Sequence, residues 1–455
     1  MDELRDFAVE VVASAMQSSA TAADCIVREG NEFSTMIRCN EVEQLKEAGA
    51  KAVGLRVFCG HRTASAYTSD FTRAGMERLV SSAIAAARVT SEDPYGGLPE
   101  PEDVGAYPGD LELFSEDVTG LEAARMIELA RRAERAAFAY DPRIKNSEGA
   151  SFDAAYGRKI LATSQGFLGE YRSSTCSLSV VPVAVSDPSA AAGGLGMERD
   201  YWYSISRKFS GLEPPEEVGR KAAERTVRRL GARKIATCRV PVVFDQRTAR
   251  SLLGNLLEAL NGDAIYRGAS FLAGKLGQPI ASEAVTVVDD ATLRGGFGSS
   301  PFDDEGVRAG RKVVIERGVL KSYLLNSYTA RKLGMKTTGN AARGLAGNPG
   351  VGPHNFFLEP GSTTPEEILR SVRNGFYVTE FMGFGANVVT GDVSHGAAGL
   401  WIENGELAYP VQEVTVAGNL LEMLRGIRVV GTDLEFRGAL ASPTLLVEEM
   451  TVAGR

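Results

Sequence analysis

The sequence predicts an α+β fold: an N-terminal α+β region in which a helix–antiparallel meander–helix unit occurs twice, followed by a mostly antiparallel, β-rich C-terminal domain. Two observations carry this. Before Gly231, amphipathic helices bracket runs of strand-like segments, and that order recurs. From Arg239 onward glycine becomes frequent and strand signals dominate. A chain of 455 residues exceeds what one hydrophobic core usually organises. The expected divisions are 1–110, 111–235 and 236–455.

The first helix is read from the stripe Leu4, Phe7, Ala8, Val11, Val12, Ala15 and Met16. Short strands are expected at Asp24–Arg28, Phe33–Arg38, Val42–Lys46, Ala52–Phe58 and Thr63–Tyr67. A second helix follows at Thr72–Val89, with Met76, Leu79, Val80, Ala83, Ile84 and Ala87 inward. Pro94–Gly109, rich in proline, glycine and acids, reads as a linker. Thr119 with Glu122 is a capping-box signature. It opens a helix to Tyr140, where Pro142 forbids continuation. Strands are expected at Ser151–Tyr156, Lys159–Ser164, Gly166–Tyr171, Ser177–Val185 and Tyr201–Phe209, with Ser186–Gly196 as an exposed loop. Pro214-Pro215-Glu216-Glu217 opens the closing helix and Gly231 stops it. The basic residues Arg220, Lys221, Arg225, Arg228, Arg229, Arg233 and Lys234 read as a solvated face rather than a nucleic-acid surface.

In the C-terminal domain, Arg239–Phe244 is a strand leading into the helix of Asp245–Asp263. Leu252, Leu253, Leu256, Leu257 and Leu260 share one face of it, Asp245 can cap it, and Asn261-Gly262 can end it. Glu316-Arg317-Gly318 and Glu403-Asn404-Gly405-Glu406 each join two strands as hairpins; the Asn-Gly pair favours a type I′ turn. Further strands are expected at Asn387–Ser394, Val411–Ala417 and Thr444–Val452, and short helices at Ser327–Leu333, Pro365–Arg373 and Leu420–Gly426.

The totals exclude several classes. Fifty lysines and arginines against 58 acids give a net charge of −8, which repels phosphate backbones. The five cysteines, odd in number and never CxxC, read as small buried residues of a reducing compartment. No basic stretch followed by an apolar one opens the chain, and no apolar run of about 18 residues exists. A cytoplasmic location is expected, with no membrane span.

Several clusters invite a chemical reading. Asp289-Asp290 and Asp303-Asp304-Glu305 could hold Mg²⁺ or Ca²⁺; the plainer expectation is solvated turn chemistry at strand ends. The glycine-rich stretches 295–298 and 339–352 match neither a Walker nor a dinucleotide pattern, and read as connectors or as a loop edging a groove. Asp392, Ser394 and His395 adjoin in sequence, but on a strand His395 points away from the other two, and no GxSxG elbow occurs. His354-Asn355-Phe356-Phe357 reads as an internal strand, with an edge open to an extended peptide as the alternative.

Ordered motifs spread over the C-terminal half resemble the TldD/PmbA family, whose members were named as modulators of DNA gyrase and proposed to be peptidases. They include LNGDAIYRGASFLAGKLGQPIAS (Leu260–Ser282), SPFDDEGV (Ser300–Val307), VIERGVLKSYLLNSYTARKLG (Val314–Gly334), TGDVSHGAAGLWIENGELAYPV (Thr390–Val411) and PTLLVEEMTVAG (Pro443–Gly454). The N-terminal half matches by layout. One branch of the family carries His-Glu-x-x-x-His on the helix before Gly-Asp, with a cysteine near the C-terminus. Aligned on Gly262-Asp263, this chain has Leu253 and Gly254 for the His-Glu pair and Glu258 for the second histidine, and no cysteine follows Cys238. It resembles the PmbA (TldE) branch, which lacks the metal motif. The resemblance implies no catalytic residue and no cofactor in this chain, with zinc on a metal-bearing TldD-like partner. It also implies a heterodimer with that partner, or a homodimer, enclosing a chamber for unfolded or small peptides. Tyr266, Arg267, Asn340, Arg343, His354, Asn355 and His395 are the candidates for a peptide groove or interface. A stand-alone hydrolase is the alternative, and a gyrase or nucleic-acid modulator the less favoured one.

Overall fold

The computed structural model describes residues 3–186, 196–383 and 385–454. The N-terminal region runs α1 (Glu3–Gln17), β1 (Ala22–Arg38), β2 (Glu41–Cys59), β3 (Arg62–Thr68) and α2 (Arg73–Val89). It continues with α3 (Glu116–Thr119), α4 (Ala123–Tyr140), β4 (Ile144–Thr163), β5 (Leu168–Val185), β6 (Met197–Arg199), β7 (Trp202–Ser206) and α5 (Pro215–Arg228). Helix, meander and helix do recur. The two meanders are not separate sheets, however. β1 pairs antiparallel with β4 from Asp24↔Thr163 to Ile37↔Ala150, giving one seven-stranded sheet in the order β3-β2-β1-β4-β5-β6, with β7 also on β5.

The strands are longer than their sequence signals. Segments read as pairs of short strands are single strands of 17 to 20 residues. One face explains their apolar half. Val27, Val53 and Ile160 pack under α1 and α2, while Phe33, Ile37 and Phe152 pack under α4 and α5. The opposite face carries four cross-strand rows. They are Gly54–Ile26–Leu161–Gly169, Ala52–Arg28–Lys159–Tyr171, Ala50–Gly30–Gly157–Ser173 and Ala48–Glu32–Ala155–Thr175. The C-terminal domain covers the first row and meets the second, where Arg28 and Lys159 pair with Asp304 and Tyr171 touches Phe302; the other two rows are left open.

Four local expectations are corrected. Thr119 does not cap α4: it ends α3, its hydroxyl bonds Glu116, and α4 starts at Ala123. Pro94–Gly109 is not a free linker, because Val104 bridges Val307, the Gly105 amide donates to Gly306 O (2.9 Å) and the Tyr107 amide to Pro301 O (2.7 Å). The basic face is only partly solvated, since Arg225 pairs with Asp200, and Arg229 with Glu198 and Glu380, both largely buried. Cys25 and Cys176 are buried as expected, but Cys39 is exposed. The loop read at Ser186–Gly196 lies mostly outside the described residues; its ends meet through Ser186 N and Gly196 O.

The C-terminal domain comprises β8 (Cys238–Phe244), α6 (Gln246–Leu260), α7 (Gly262–Tyr266), β9 (Val287–Asp290), β10 (Arg311–Glu316), β11 (Val319–Leu320), α8 (Ser327–Leu333), β12 (Ala341–Ala342) and β13 (Gly350–Val351). Then come β14 (Asn355–Leu358), α9 (Pro365–Ser371), β15 (Asn374–Met382), β16 (Asp392–Glu403), β17 (Glu406–Asn419), α10 (Leu420–Arg425), β18 (Ile427–Val430), β19 (Leu440–Ala441) and β20 (Leu445–Ala453). One sheet runs β17-β16-β15-β8-β20-β18 and closes on itself through a further β17–β20 pairing. A second runs β11-β10-β9-β14-β19, and β12 pairs with β13. Both hairpin turns form, with Arg317, Gly318, Asn404 and Gly405 all left-handed as a type I′ turn needs. Asn387–Gly391 is a turn rather than strand, its Asn387 side chain accepting from Val389 N, so β16 starts only at Asp392.

Helix α6 is held as its pattern predicts. Leu252, Leu253, Leu256 and Leu260 are buried in the main C-terminal core. Asp245 caps it, accepting from the Thr248 amide (2.9 Å) and hydroxyl (2.9 Å). Asp245→Ala removes an acceptor from buried donors, so a loss of about 1–2 kcal/mol is expected in urea unfolding. Asp245→Asn should recover most of it.

An aromatic plug fills the junction of the two regions. Phe302 is buried against Ile26, Leu161 and Phe167. It meets Phe167 and Tyr171 edge-on, at 5.2 and 5.6 Å between centroids. Gly169 makes room, since a Cβ there would stand 2.5 Å from the Phe302 ring.

Candidate functional site

The exposed side of α6 is where the sequence motif directs attention first. Leu253 turns inward and is 6% exposed within the apolar core. Gly254 faces Leu440, whose Cδ2 would lie 3.7 Å from a Cβ, and Glu258 is exposed. These three positions supply a single donor, where a catalytic zinc takes three protein ligands. They do not fit that ion.

Immediately beyond α6 lies a cavity of about 770 Å³ between β2, β3, the segment 91–97, α7, α8 and residues 348–350. Asp263, Tyr266 and Arg267 come to it because Asn261 caps α7 directly after α6, its side chain accepting from Asp263 N (2.9 Å). Tyr328 meets Tyr266 edge-on (6.1 Å between centroids) and its hydroxyl donates to Asp93 (2.8 Å), while Lys332 Nζ lies 4.1 Å over Tyr95 and 5.3 Å over Tyr328. Burial works to raise the Asp93 carboxyl, but Tyr328, the Tyr95 amide and Lys332 outweigh it and hold it below the usual range. The same burial, then Asp93, pushes the Tyr328 phenol up. With His61, Arg267 and Glu92 at its rim, this groove offers hydrogen-bonding groups of both signs beside aromatic surface. Such walls suit a polar, extended chain more than an apolar ligand.

Behind the groove sits an ion network that the sequence reading took for solvated turns. Arg56 on β2 donates to Asp24 on β1 (2.8 and 2.5 Å) and lies 3.6 Å from Glu305. Arg343 donates to the other Asp24 oxygen. Asp304 accepts from the Arg343 amide (2.8 Å) and pairs with Lys159 and Arg28. Asp303 accepts three backbone amides, from Glu305, Val307 and Ala341. Burial, then the Glu305 charge, raises its carboxyl. All four of these acids are buried. The second acidic pair is also buried: Asp289 accepts from Lys312 (3.1 Å), Asn340 (2.8 Å) and the His354 amide (2.7 Å).

The candidate residues therefore divide. Tyr266 and Arg267 line the groove together. Arg343 lies behind it in the ion network, and Asn340 helps hold Asp289. His354 lies between the Gly298 and Gly339 carbonyls (3.2 and 2.7 Å), and Asn355 holds Gly298, Ser299 and Asp290. β14 is flanked by β9 and β19, so it is an internal strand. His395 is apart from all of these, buried and stacked on Phe381 at 4.6 Å, while Asp392 and Ser394 face outward as strand alternation requires. Sequence reading missed Asp24, Arg56 and Lys159. The available signal was a charge at a core position of an apolar strand, as in Asp24-Cys25-Ile26-Val27 and Gly54-Leu55-Arg56-Val57.

Family models match almost end to end: PmbA/TldA metallopeptidase domain 1 over residues 23–87, its central domain over 116–230 and its C-terminal domain over 237–454. The chain is 39% identical to metalloprotease PmbA of Escherichia coli O157:H7, covering 98% of this chain and 96% of that protein. It is 36% identical to a PmbA homolog of Haemophilus influenzae, covering 98% and 95%. A crystal structure from Bacteroides thetaiotaomicron, described as a proposed modulator of DNA gyrase, superposes over both whole chains with a TM-score of 0.91 and 28% identity. TldE of Thermococcus kodakarensis shares the fold, with a TM-score of 0.86 at 20% identity over 98% of this chain and 99% of that one.

Proposed function

This chain belongs to the PmbA/TldD metallopeptidase family, and from that premise we propose that it is the non-metal subunit of a two-subunit peptidase. The observation that carries the reading is Leu253: at the position of a metal-binding histidine, the side chain is part of the core of α6. The zinc belongs to a metal-bearing, TldD-like partner. This chain's part is to hold unfolded or small peptides and to complete a chamber around them. The groove at Asp263, Tyr266 and Arg267 supports that role, since it lies one turn beyond α6 and has walls suited to a polar chain. The pair works in the cytoplasm, and a homodimer is the form left where no such partner is made.

The test compares the full chain alone with the chain co-expressed with a family member carrying His-Glu-x-x-x-His. Alone, it is expected to hold well under one zinc per chain and to show no chelator-sensitive hydrolysis of an unfolded peptide. Co-purification with the partner should bring both zinc and hydrolysis. Stoichiometric zinc with hydrolysis by the chain alone would overturn the proposal. Chelator-resistant hydrolysis by the chain alone would point instead to a hydrolase with its own catalytic groups.

A further inference from the structure

The uncovered face of the N-terminal sheet forms a second cavity, of about 590 Å³. Its floor is nearly bare of side chains. Gly30 lies opposite Gly157 and Ala50, and Ala48 and Ala155 continue the surface to the next row. At one end, against the C-terminal domain, Arg28, Lys159 and Arg207 converge. The other end carries Glu32, four residues along β1 from Arg28, or about 13 Å away.

The cationic end is undercompensated. Arg207 is 9% exposed; its guanidinium donates to the Ser174 (3.2 Å), Gly296 (3.1 Å) and Phe297 (2.8 Å) carbonyls and lies 5.5 Å over the Phe297 ring. Among the described residues its Nε has no partner and no carboxylate pairs with it. Arg28 and Lys159 both pair with Asp304, and Asp303 lies close enough to act on Lys159 as well. Burial, then the neighbouring Arg28, holds the Lys159 ammonium down to about 7. Tyr171 lies among the three cations: Lys159 is 5.8 Å over its ring, and Arg28 and Arg207 both act against the rise that burial imposes on its phenol. Two guanidiniums and a Lys159 that is only partly protonated near neutral pH face Asp304, with Asp303 beside it, at the covered end of the sheet face; Arg207 has no carboxylate of its own among the described residues, and the cluster attracts one further anion.

We propose that this face binds an extended peptide segment by its carboxylate, which docks between Arg28, Lys159 and Arg207 while the backbone lies over the glycine and alanine floor. The inference rests on the peptide-handling role above and adds a preference to it. The carboxylate can be a C-terminus or an aspartate or glutamate side chain; the chemistry is shared. Glu32 at the far end favours a cationic or neutral residue upstream, so the bound segment has a direction.

The experiment uses the purified full chain and three fluorescein-labelled hexapeptides of glycine, alanine and serine, read by anisotropy. One has a free C-terminal carboxylate, one is its C-terminal amide, and one is the amide with a single internal aspartate. At least one carboxylate-bearing peptide should bind about tenfold or more tighter than the neutral amide, with the preference falling as salt rises. Which of the two it is identifies the source of the carboxylate. Arg28→Gln removes a half-exposed cation, and Ala50→Glu places an anion on the exposed floor; each should erase the preference with the melting temperature unchanged. Equal binding of all three peptides would overturn the subsite while leaving the peptide-handling role standing. Binding of none would overturn the subsite and count against that role as well. Should Arg28→Gln lower the melting temperature, Ala50→Glu decides alone, and a preference that survives it refutes the proposal.

Discussion

Asp24→Ala is expected to destabilise the protein by roughly 3–5 kcal/mol, the largest effect of any single charge removed here. Asp24 is fully buried and is the shared partner of Arg56 and Arg343, whose side chains are 3% and 0% exposed. Removing it strands two guanidiniums where water cannot reach them. Glu305 lies 3.6 Å from Arg56 and does not replace it. The loss should appear as a lower urea midpoint with an unchanged slope, and added salt should not diminish it. Asp24→Asn keeps the shape and one acceptor, so it should fall between. Glu128→Ala, which breaks an exposed pair with Arg135, is the control and should be silent. A midpoint for Asp24→Ala equal to that control would mean the network contributes nothing to docking the two regions.

Phe302→Ala should cost a comparable amount, about 3–5 kcal/mol, for a different reason. The ring is 1% exposed and fills the space that Gly169 leaves on the sheet. Its loss opens a cavity at the junction of the two regions, bordered by strands that are fixed from their other face. The junction should loosen before either core does. Limited proteolysis within Pro94–Gly109, which is pinned to Val307, Gly306 and Pro301 beside the plug, should therefore accelerate more than global unfolding predicts. Phe302→Leu should recover part of the loss. Asp24 and Phe302 serve one interface, so their effects are not expected to add.

Sequence pattern located the C-terminal helices and the two hairpins because each is short and bounded by its own punctuation, whereas β9, β15 and β18 carried no such marks. Asp245, Asn326 and Thr364 all cap helices, and Asn404-Gly405 turns a hairpin. The N-terminal strands were cut in two because Glu29-Gly30-Asn31-Glu32 and Gly157-Arg158 look like turns. They are mid-strand, tolerated because the sheet leaves one face open there. The acidic clusters were misread for a related reason. Asp303 and Asp304 sit in a polar, glycine-containing stretch typical of solvent, and the counter-charges come from strands far away in sequence: Arg28 on β1 and Lys159 on β4 reach Asp304. Local pattern carries no record of such a partner. The helix facing the zinc question was legible only through the family motif. Leucine spacing showed which face of α6 is buried, and the motif showed why burying Leu253 matters.

The seam between β1 and β4 sets an order on how the protein can be made. β1 leaves the ribosome well before β4, the strand that completes its hydrogen bonding and begins at Ile144. Until then β1, β2 and β3 form a three-stranded patch with a 17-residue edge open to any other chain. Glu29 and Glu32, with Gly30 between them, put charge and a weak point in the middle of that edge, which discourages mispairing while the second meander is still being synthesised. The first 110 residues thus carry most of a core but only half of a sheet. Because this pairing spans more than a hundred residues, the step that closes it is slow in topological terms, and it must precede the docking of everything that Phe302 and Arg343 later hold in place.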